Sequence, residues 1–555
     1  MGDNSTPIDS ILNKESNEQN NTPIESFINH KADTGMQCGN YSIDIPELKE
    51  GEQYRFHFDL TACVGCHCCE VACNEQNGND ANVKWRRVGE MEGGTFPDVS
   101  QLFNSMSCNH CIDPACLNGC PTESYIKLDN GIVFHDDDEC IGCQYCTWNC
   151  PYEVPVMNYD RGIVTKCHMC VDKLEVGETP ACVQACPAGA INIEVVHKDE
   201  WIKYDMQKEG IAPHLPDTSI TKPTTRYTVP DNMDEINYKP ADEHITKPAH
   251  SELPLVFMTV LTQMSVGGFV ALFFGELLNM FGFTNLASAN YILAAFVIIP
   301  ALIGLPLSAL HLGRPQMAYK AMKNWKNSWL SKEALALAIY AGSTIAVITC
   351  YFFDIQAINT MLILLSLTSG VYGIYAQSMI YRIKARPSWD RESTTKRFLA
   401  SGYLGLILVA LVLSIQGYAS SAMSIVSLVL LGAAYQVLVI FEEKVFYKYL
   451  KEDEKNYYQL NKTKTLLENN FKSHLKIRFN TLVGFGIAAP LMASIFLANG
   501  NINIASIILA ISLIGSTISE LIGRYLFFVT VVPLGLAGNF FAGNQRGRDY
   551  KEGSH

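Results

Sequence analysis

Sixteen of the nineteen cysteines in this 555-residue chain fall into four runs: Cys63-Cys66-Cys69-Cys73, Cys108-Cys111-Cys116-Cys120, Cys140-Cys143-Cys146-Cys150 and Cys167-Cys170-Cys182-Cys186. Thiolates are soft ligands, and C-x2-C spacing lets one tight loop present its sulfurs to the irons of a cubane from one side. The third run reproduces the ferredoxin pattern C-x2-C-x2-C-x3-C-P, with Pro151 in place. Structural zinc is the competing chemistry, but zinc ribbons separate two C-x2-C pairs by about 12 to 20 residues. Three of these runs are far tighter, and proline follows the last cysteine of three, at Pro121, Pro151 and Pro187. In two-cluster ferredoxins the fourth cysteine of a run crosses to the other cluster. Pairing the first run with the fourth, and the second with the third, predicts four sets. They are Cys63, Cys66, Cys69 with Cys186; Cys73 with Cys167, Cys170, Cys182; Cys108, Cys111, Cys116 with Cys150; and Cys120 with Cys140, Cys143, Cys146. Cys38, Cys68 and Cys350 remain and read as buried or idle thiols, with Cys68 a poorer substitute for its neighbour. His67, His110 and His168 line the loops, a hydrogen bond to sulfur being their alternative role. The acidic run Asp136-Asp137-Asp138-Glu139 reads as a solvated turn.

Beyond residue 251 the chemistry changes. Ionisable groups at membrane depth are costly, so the few present are functional candidates. The only histidines there are His311, His474 and His555, and the last two lie in a basic loop and at the end of the chain. A membrane haem b needs two axial histidines within its bundle, so no haem is expected, and the redox partner is a diffusible carrier, a quinol. His311 and Arg314 close the second apolar stretch and Glu333 opens the third, while Glu520 and Arg524 lie one turn apart near the end of the last. These five are expected to converge beneath the cysteine region, with His311 or Glu333 accepting quinol protons and Arg314, Glu520 and Arg524 binding the carrier. An intrahelical Glu520–Arg524 pair and a helix-capping His311 are the alternatives; Glu276 reads as interfacial on the opposite face.

The elements that must position these groups follow from composition. Residues 1–50 form a polar, flexible leader; 51–198 a four-cluster domain with strand-like GIVFH and AINIEVV segments; 199–252 a proline-rich linker; 253–535 an anchor of eight spans; and 536–555 a tail. Spans are placed near 253–279, 288–310, 331–353, 358–380, 398–415, 421–441, 481–498 and 504–526. The expected fold is an α+β ferredoxin-like poly-cluster domain followed by an all-α transmembrane bundle in contact with membrane lipid. A net charge of −13 without a basic, aromatic-laced stripe excludes nucleic acid as a partner. Lysine and arginine crowd the segments near 311–330, 381–397 and 442–480 and are absent from 280–287, 354–357, 416–420 and 499–503. By the positive-inside rule the basic loops and the cysteine domain face the cytoplasm. No export signal is read at the N-terminus, so a periplasmic domain would need a partner's signal.

The segments CNHCIDPACLNGCP and CIGCQYCTWNCPY resemble the electron-transfer subunit of dimethyl sulfoxide reductase-type molybdoenzymes. ELPLVFMTVLTQMSVGG, SALHLGRPQMAYKAMKNW, LSKEALA and ISELIGRYLFF are similar to the membrane anchor of the same complexes. The resemblance implies four [4Fe-4S] clusters, menaquinol oxidation at His311 and Glu333, a separately encoded molybdopterin-containing catalytic subunit, and residence in the bacterial cytoplasmic membrane. Two usually separate subunits are fused here, with the proline-rich segment as the joint. A polysulfide reductase-like or dehydrogenase module would use the same parts to pass electrons to quinone.

Overall fold

The structure, a computed structural model, describes residues 37–38, 41–42, 47–233, 235–280, 290–353, 355, 358–453, 455–536 and 538. Most of the leader, the tail beyond 538 and the side chains of Cys38 and Glu276 lie outside the described residues. In the first half, strand β1 (Glu52–Asp59) alternates buried and half-exposed residues, which places Phe56 and Phe58 in the core. The hairpin of β2 (Arg87–Thr95) and β3 (Asp98–Met106) lies beside the first cysteine helix, Cys68–Asn77. Strand β4 (Ile191–His197), just past the last cysteine, pairs antiparallel with β1, so the first and last elements of the cysteine region close on each other. Two small hairpins, Tyr125–Lys127 with Val133–His135 and Val156–Asn158 with Ile163–Thr165, precede the third and fourth runs.

The stretch expected as an extended linker is built into the domain. Strand β5 (Arg226–Thr228) adds in parallel to β1, Lys239–Pro240 pairs with β2, and Trp201 is fully buried with its indole N–H donated to Pro223 O at 2.8 Å. The prolines stop helices without preventing short strand additions at a sheet edge, where the missing N–H goes unused.

Among the described residues eight helical segments are long and apolar enough to cross a membrane: α1 (Leu253–Gly275), α2 (Ile292–His311), α3 (Trp329–Phe352), α4 (Asn359–Tyr381), α5 (Glu392–Ile415), α6 (Ala419–Lys448), α7 (Lys472–Ala498) and α8 (Ile502–Val529). The fifth and seventh begin earlier than their apolar runs because polar residues at their starts turn inward: Arg397 pairs with Glu443, and Arg478 is buried. Small residues let α1 and α5 touch; a Cβ on Gly405 would lie 2.0 Å from Gly268 N.

The cysteine domain sits on the basic-loop face of this bundle. Trp148, between Cys146 and Cys150, packs against Tyr381 and Trp389 with centroids 6.0 and 5.5 Å apart, and Trp389 stacks on Phe527. Arg386 bonds Glu153 Oε1 and Thr147 O, each at 3.3 Å. Past α8 the polypeptide returns to the domain, where Gly535 N donates to Pro151 O at 2.9 Å.

Candidate cluster relay and quinol site

The turns of the four cysteine runs share one backbone device. Two residues after the first cysteine of each run comes a positive φ: Gly65 at 67°, His110 at 41°, Gly142 at 68° and Met169 at 60°. That twist aims the residue's N–H back at sulfur, giving His110 N to Cys108 Sγ at 3.5 Å, Gly142 N to Cys140 Sγ at 3.4 Å and Met169 N to Cys167 Sγ at 3.3 Å. The histidine rings turn elsewhere: His110 Nδ1 accepts from Val133 N at 3.0 Å, His67 pairs with Glu70, and His168 lies edge-on to Trp85. Cys68 is exposed and Cys350 is buried in α3.

The structure brings the sulfurs together in the four crossed sets. Cys108, Cys111, Cys116 and Cys150 line one buried space, and Cys73, Cys167, Cys170 and Cys182 another. Cys63 interacts with Cys69, Cys186 and Cys66, and Cys146 with Cys143, Cys140 and Cys120. Short helices divide their cysteines between neighbouring sets: Cys69 and Cys73 lie on Cys68–Asn77, and Cys146 on Tyr145–Asn149 immediately precedes Cys150. Neighbouring sets therefore each take a sulfur from the same short helix, about one turn apart along it.

Iron-sulfur clusters fit these residues. Burial pushes the thiols of Cys63, Cys69, Cys150, Cys170 and Cys182 up to about 11, so iron must displace their protons for them to act as ligands. Arg86 and Lys166 are buried among these sulfurs. Lys166 donates to Val133 O and Cys167 O, both uncharged acceptors. Buried cations of this kind cost several kcal/mol unless an anion answers them, and a thiolate-ligated cluster is such an anion.

The set of Cys120, Cys140, Cys143 and Cys146 rests on the membrane half. Gly313 N and Arg314 N donate to Gly142 O and Ile141 O at 3.3 and 3.1 Å, and Arg314 Nη1 to Asp137 O at 2.8 Å. A Cβ on Gly313 would sit 2.1 Å from Gly162 O, so only glycine allows this approach. On the other side Asn324 Nδ2 donates to Cys120 O at 2.9 Å and Ser328 Oγ to Gly119 O at 2.8 Å. Lys320 and Lys323 reach Glu139 at 3.2 and 3.5 Å. The acidic run read as a solvated turn is thus a docking strip, and the signal was its complement, the basic stretch from Arg314 to Lys323.

The five membrane candidates divide among separate groupings. His311 ends a 3-10 turn, Ser308–His311, and leads directly into the Gly313–Arg314 contact. Glu333 is buried in the first turns of α3 and accepts from Gln377 Nε2 at 2.7 Å. Gln263 Nε2 donates to Gln377 Oε1 at 2.8 Å, and Arg524 Nη2 to Gln263 Oε1 at 2.9 Å. Arginine only donates and an ionised carboxylate only accepts, which fixes both amide orientations and makes one polar chain across α8, α1, α4 and α3. Glu520 stands apart, taking Ser401 Oγ at 2.8 Å and Gln436 Nε2 at 3.4 Å, while Arg524 lies 3.6 Å over the Phe398 ring, so the intrahelical pair is not formed. Gln263, Gln377 and the buried Arg478 were missed because amides carry no charge signal and Arg478 sits in a basic stretch. A cavity of about 280 Å³, edged by the exposed Val371 and Leu399 and by Gly402, reaches Gln263.

A thiolate-rich relay seated on a polar-cored eight-span bundle defines a membrane-anchored iron-sulfur electron-transfer protein. Residues 247–529 match the DMSO reductase anchor subunit family and residues 99–196 the 4Fe-4S dicluster domain, so the protein belongs to the DMSO reductase anchor family with an iron-sulfur subunit fused ahead of it. The first half is 39% identical over 181 residues to the B component of the anaerobic dimethyl sulfoxide reductase of Haemophilus influenzae, covering 31% of the present sequence and 87% of that relative. It is 38% identical over 179 residues to the counterpart in Escherichia coli, covering 31% and 86%. Likeness to the B component of the sulfite dehydrogenase of Allochromatium vinosum is 35% over 192 residues, covering 30% and 80%.

Proposed function

We propose that this protein is the electron-transfer and anchor subunit of an anaerobic respiratory molybdoenzyme complex, oxidising menaquinol in the membrane and serving a separate molybdopterin-containing catalytic subunit. The observation that carries this reading is the seat of the Cys120–Cys146 set on the loop that holds His311 and Arg314, above the buried Glu333. Four [4Fe-4S] clusters, one in each cysteine set, supply one-electron carriers between that seat and the far end of the domain. His311 and Glu333 take the two protons that menaquinol gives up with its two electrons. Gln377 orients the Glu333 carboxylate, Arg524 anchors the opposite end of the amide chain, and the cavity at Gln263 admits an isoprenoid carrier from the lipid. Arg314 holds the cluster loop over the site, and Glu520, held by Ser401 and Gln436, lies behind the segment that lines the cavity. At the other end Cys66 is exposed and flanked by Val64 and Val71, 64% and 61% exposed, a surface suited to the catalytic subunit. The bacterial cytoplasmic membrane, with the cluster domain on its cytoplasmic face, accounts for the basic loops.

His311→Ala and Glu333→Gln are expected to retain wild-type iron and acid-labile sulfide while losing menaquinol-dependent cluster reduction. Normal reduction rates in both variants reject the site. The likeness to a sulfite dehydrogenase component favours a second direction, electrons flowing into quinone. Cluster potentials that fall below the quinone pool along the whole relay would select it.

A further inference from the structure

Arg86 is 2% exposed, yet none of its hydrogen bonds goes to a carboxylate: Nη1 donates to Ser105 O and Ser105 Oγ at 3.2 and 3.1 Å, and Nη2 to Ser107 Oγ at 2.8 Å. Its guanidinium lies 4.7 Å from the centroid of the Phe56 ring. Its charge faces the sulfurs of Cys182, Cys69, Cys167 and Cys73. Those sulfurs come from two different sets. Arg86 and Ser107 also line the space framed by Cys73, Cys167, Cys170 and Cys182. Toward the other set, Ser105 Oγ lies 3.3 Å from Cys69 Sγ. Arginine only donates, so the Ser105 oxygen receives from Arg86, and with Cys69 an iron-ligating thiolate the Ser105 proton is the one left to bond that sulfur.

We propose that Arg86 is a positioning residue for electron transfer, a fixed cation shared by the Cys69 and Cys73 sets that raises the reduction potentials of both, with Ser105 carrying its effect to Cys69. The inference rests on the cluster reading above. Each cluster becomes more negative by one charge on reduction, and a buried cation beside it favours that form. Hydrogen bonds to sulfur act in the same direction. Two adjacent carriers tied to one charge rise together, so the step between them stays level while both are shifted relative to the remaining pair.

The test is a redox titration of the detergent-purified full-length protein, following each cluster by electron paramagnetic resonance beside iron and sulfide content. Arg86→Met is expected to lower two of the potentials, weakening each reduction equilibrium at least tenfold, which is about 59 mV for a one-electron couple, and to leave the other two unmoved. Ser105→Ala is expected to lower only one of the same two. Four wild-type potentials at full iron content, or an equal shift in all four, overturns the proposal. If Arg86→Met fails to take up iron, Ser105→Ala decides: no selective shift overturns it. A wild-type protein without acid-labile sulfide refutes the cluster reading instead.

Discussion

Glu194 shows how much of the cysteine domain depends on single charged groups outside the cysteine runs. Its carboxylate sits on β4 and joins three basic side chains: Arg55 at 2.9 Å, His57 at 3.0 Å and Arg226 at 3.2 Å, which ties β4 to β1 and β5. Burial works to raise this carboxyl, but the hydrogen bond from His57 and the charges of Arg55, His57 and Arg226 bring it down to about 2. A glutamate free in the unfolded chain titrates near ~4.3. The native form therefore holds its proton less tightly, and the stability it contributes is complete above pH ~4.3 and lost as the pH falls toward 2. Glu194→Gln is expected to lower the melting temperature of the purified protein at pH 7 by several degrees, because hydrogen bonds to a charged group contribute about 1.5–3 kcal/mol and a domain of this size shifts about 2–4 °C per kcal/mol. The gap between variant and wild type should narrow below pH ~4.3. A gap that is constant down to pH 2.5 means the carboxylate is not the stabilising form.

The loop from His311 to Lys323 couples the two halves, and its glycine is the tightest point. Gly142, Gly162 and Gly313 meet backbone to backbone; a Cβ on Gly142 would lie 2.4 Å from Gly162 O and 2.9 Å from Gly313 N. Backbone cannot move aside as a side chain can, so Gly313→Val forces the cluster loop off the end of α2. Reduction by dithionite should then proceed as in wild type while reduction by a menaquinol analogue falls more than tenfold. Equal rates in the variant and wild type with the menaquinol analogue would show that the contact does not carry electrons. The sequence contained part of this assembly in readable form. Cysteine spacing is rigid chemistry, so the crossed sets could be written down from the runs alone, and 20-residue apolar stretches announce spans by length. The docking of Glu139 on Lys320 and Lys323, and of the Asp137 carbonyl on Arg314, was hinted at only by the complementary basic stretch, because a run of acids has the same appearance in solvent as against a partner. The amide chain of Gln263 and Gln377 was equally hidden, since two neutral residues 114 positions apart acquire meaning only when the helices close. Proline spacing misdirected the reading of 199–252, where edge pairing needs only the N–H groups that remain.

Which way the assembled molecule lies in the bilayer turns on how its cations are used. The positive-inside rule counts loop lysines and arginines as free signals, yet several here are committed to the protein: Lys320 and Lys323 to Glu139, Arg386 to Glu153, and Lys455 to Asp217. Those four are explained by docking the cluster domain and say nothing about topology. A second group remains, since Lys444, Lys448, Lys451, Lys464, Lys472 and Lys476 form no ion pair among the described residues and lie on the same face as the cluster domain. By the same rule that surplus supports the proposed cytoplasmic placement of the relay. Two exposed positions on opposite faces make the decision: Asn501, between α7 and α8, and Lys451, just past the end of α6. In intact cells an impermeant maleimide should label Asn501→Cys and spare Lys451→Cys, the native Cys66 and Cys68 being shielded along with Lys451. The reverse pattern moves the cluster domain outside and leaves the surplus lysines as a contact for anionic headgroups.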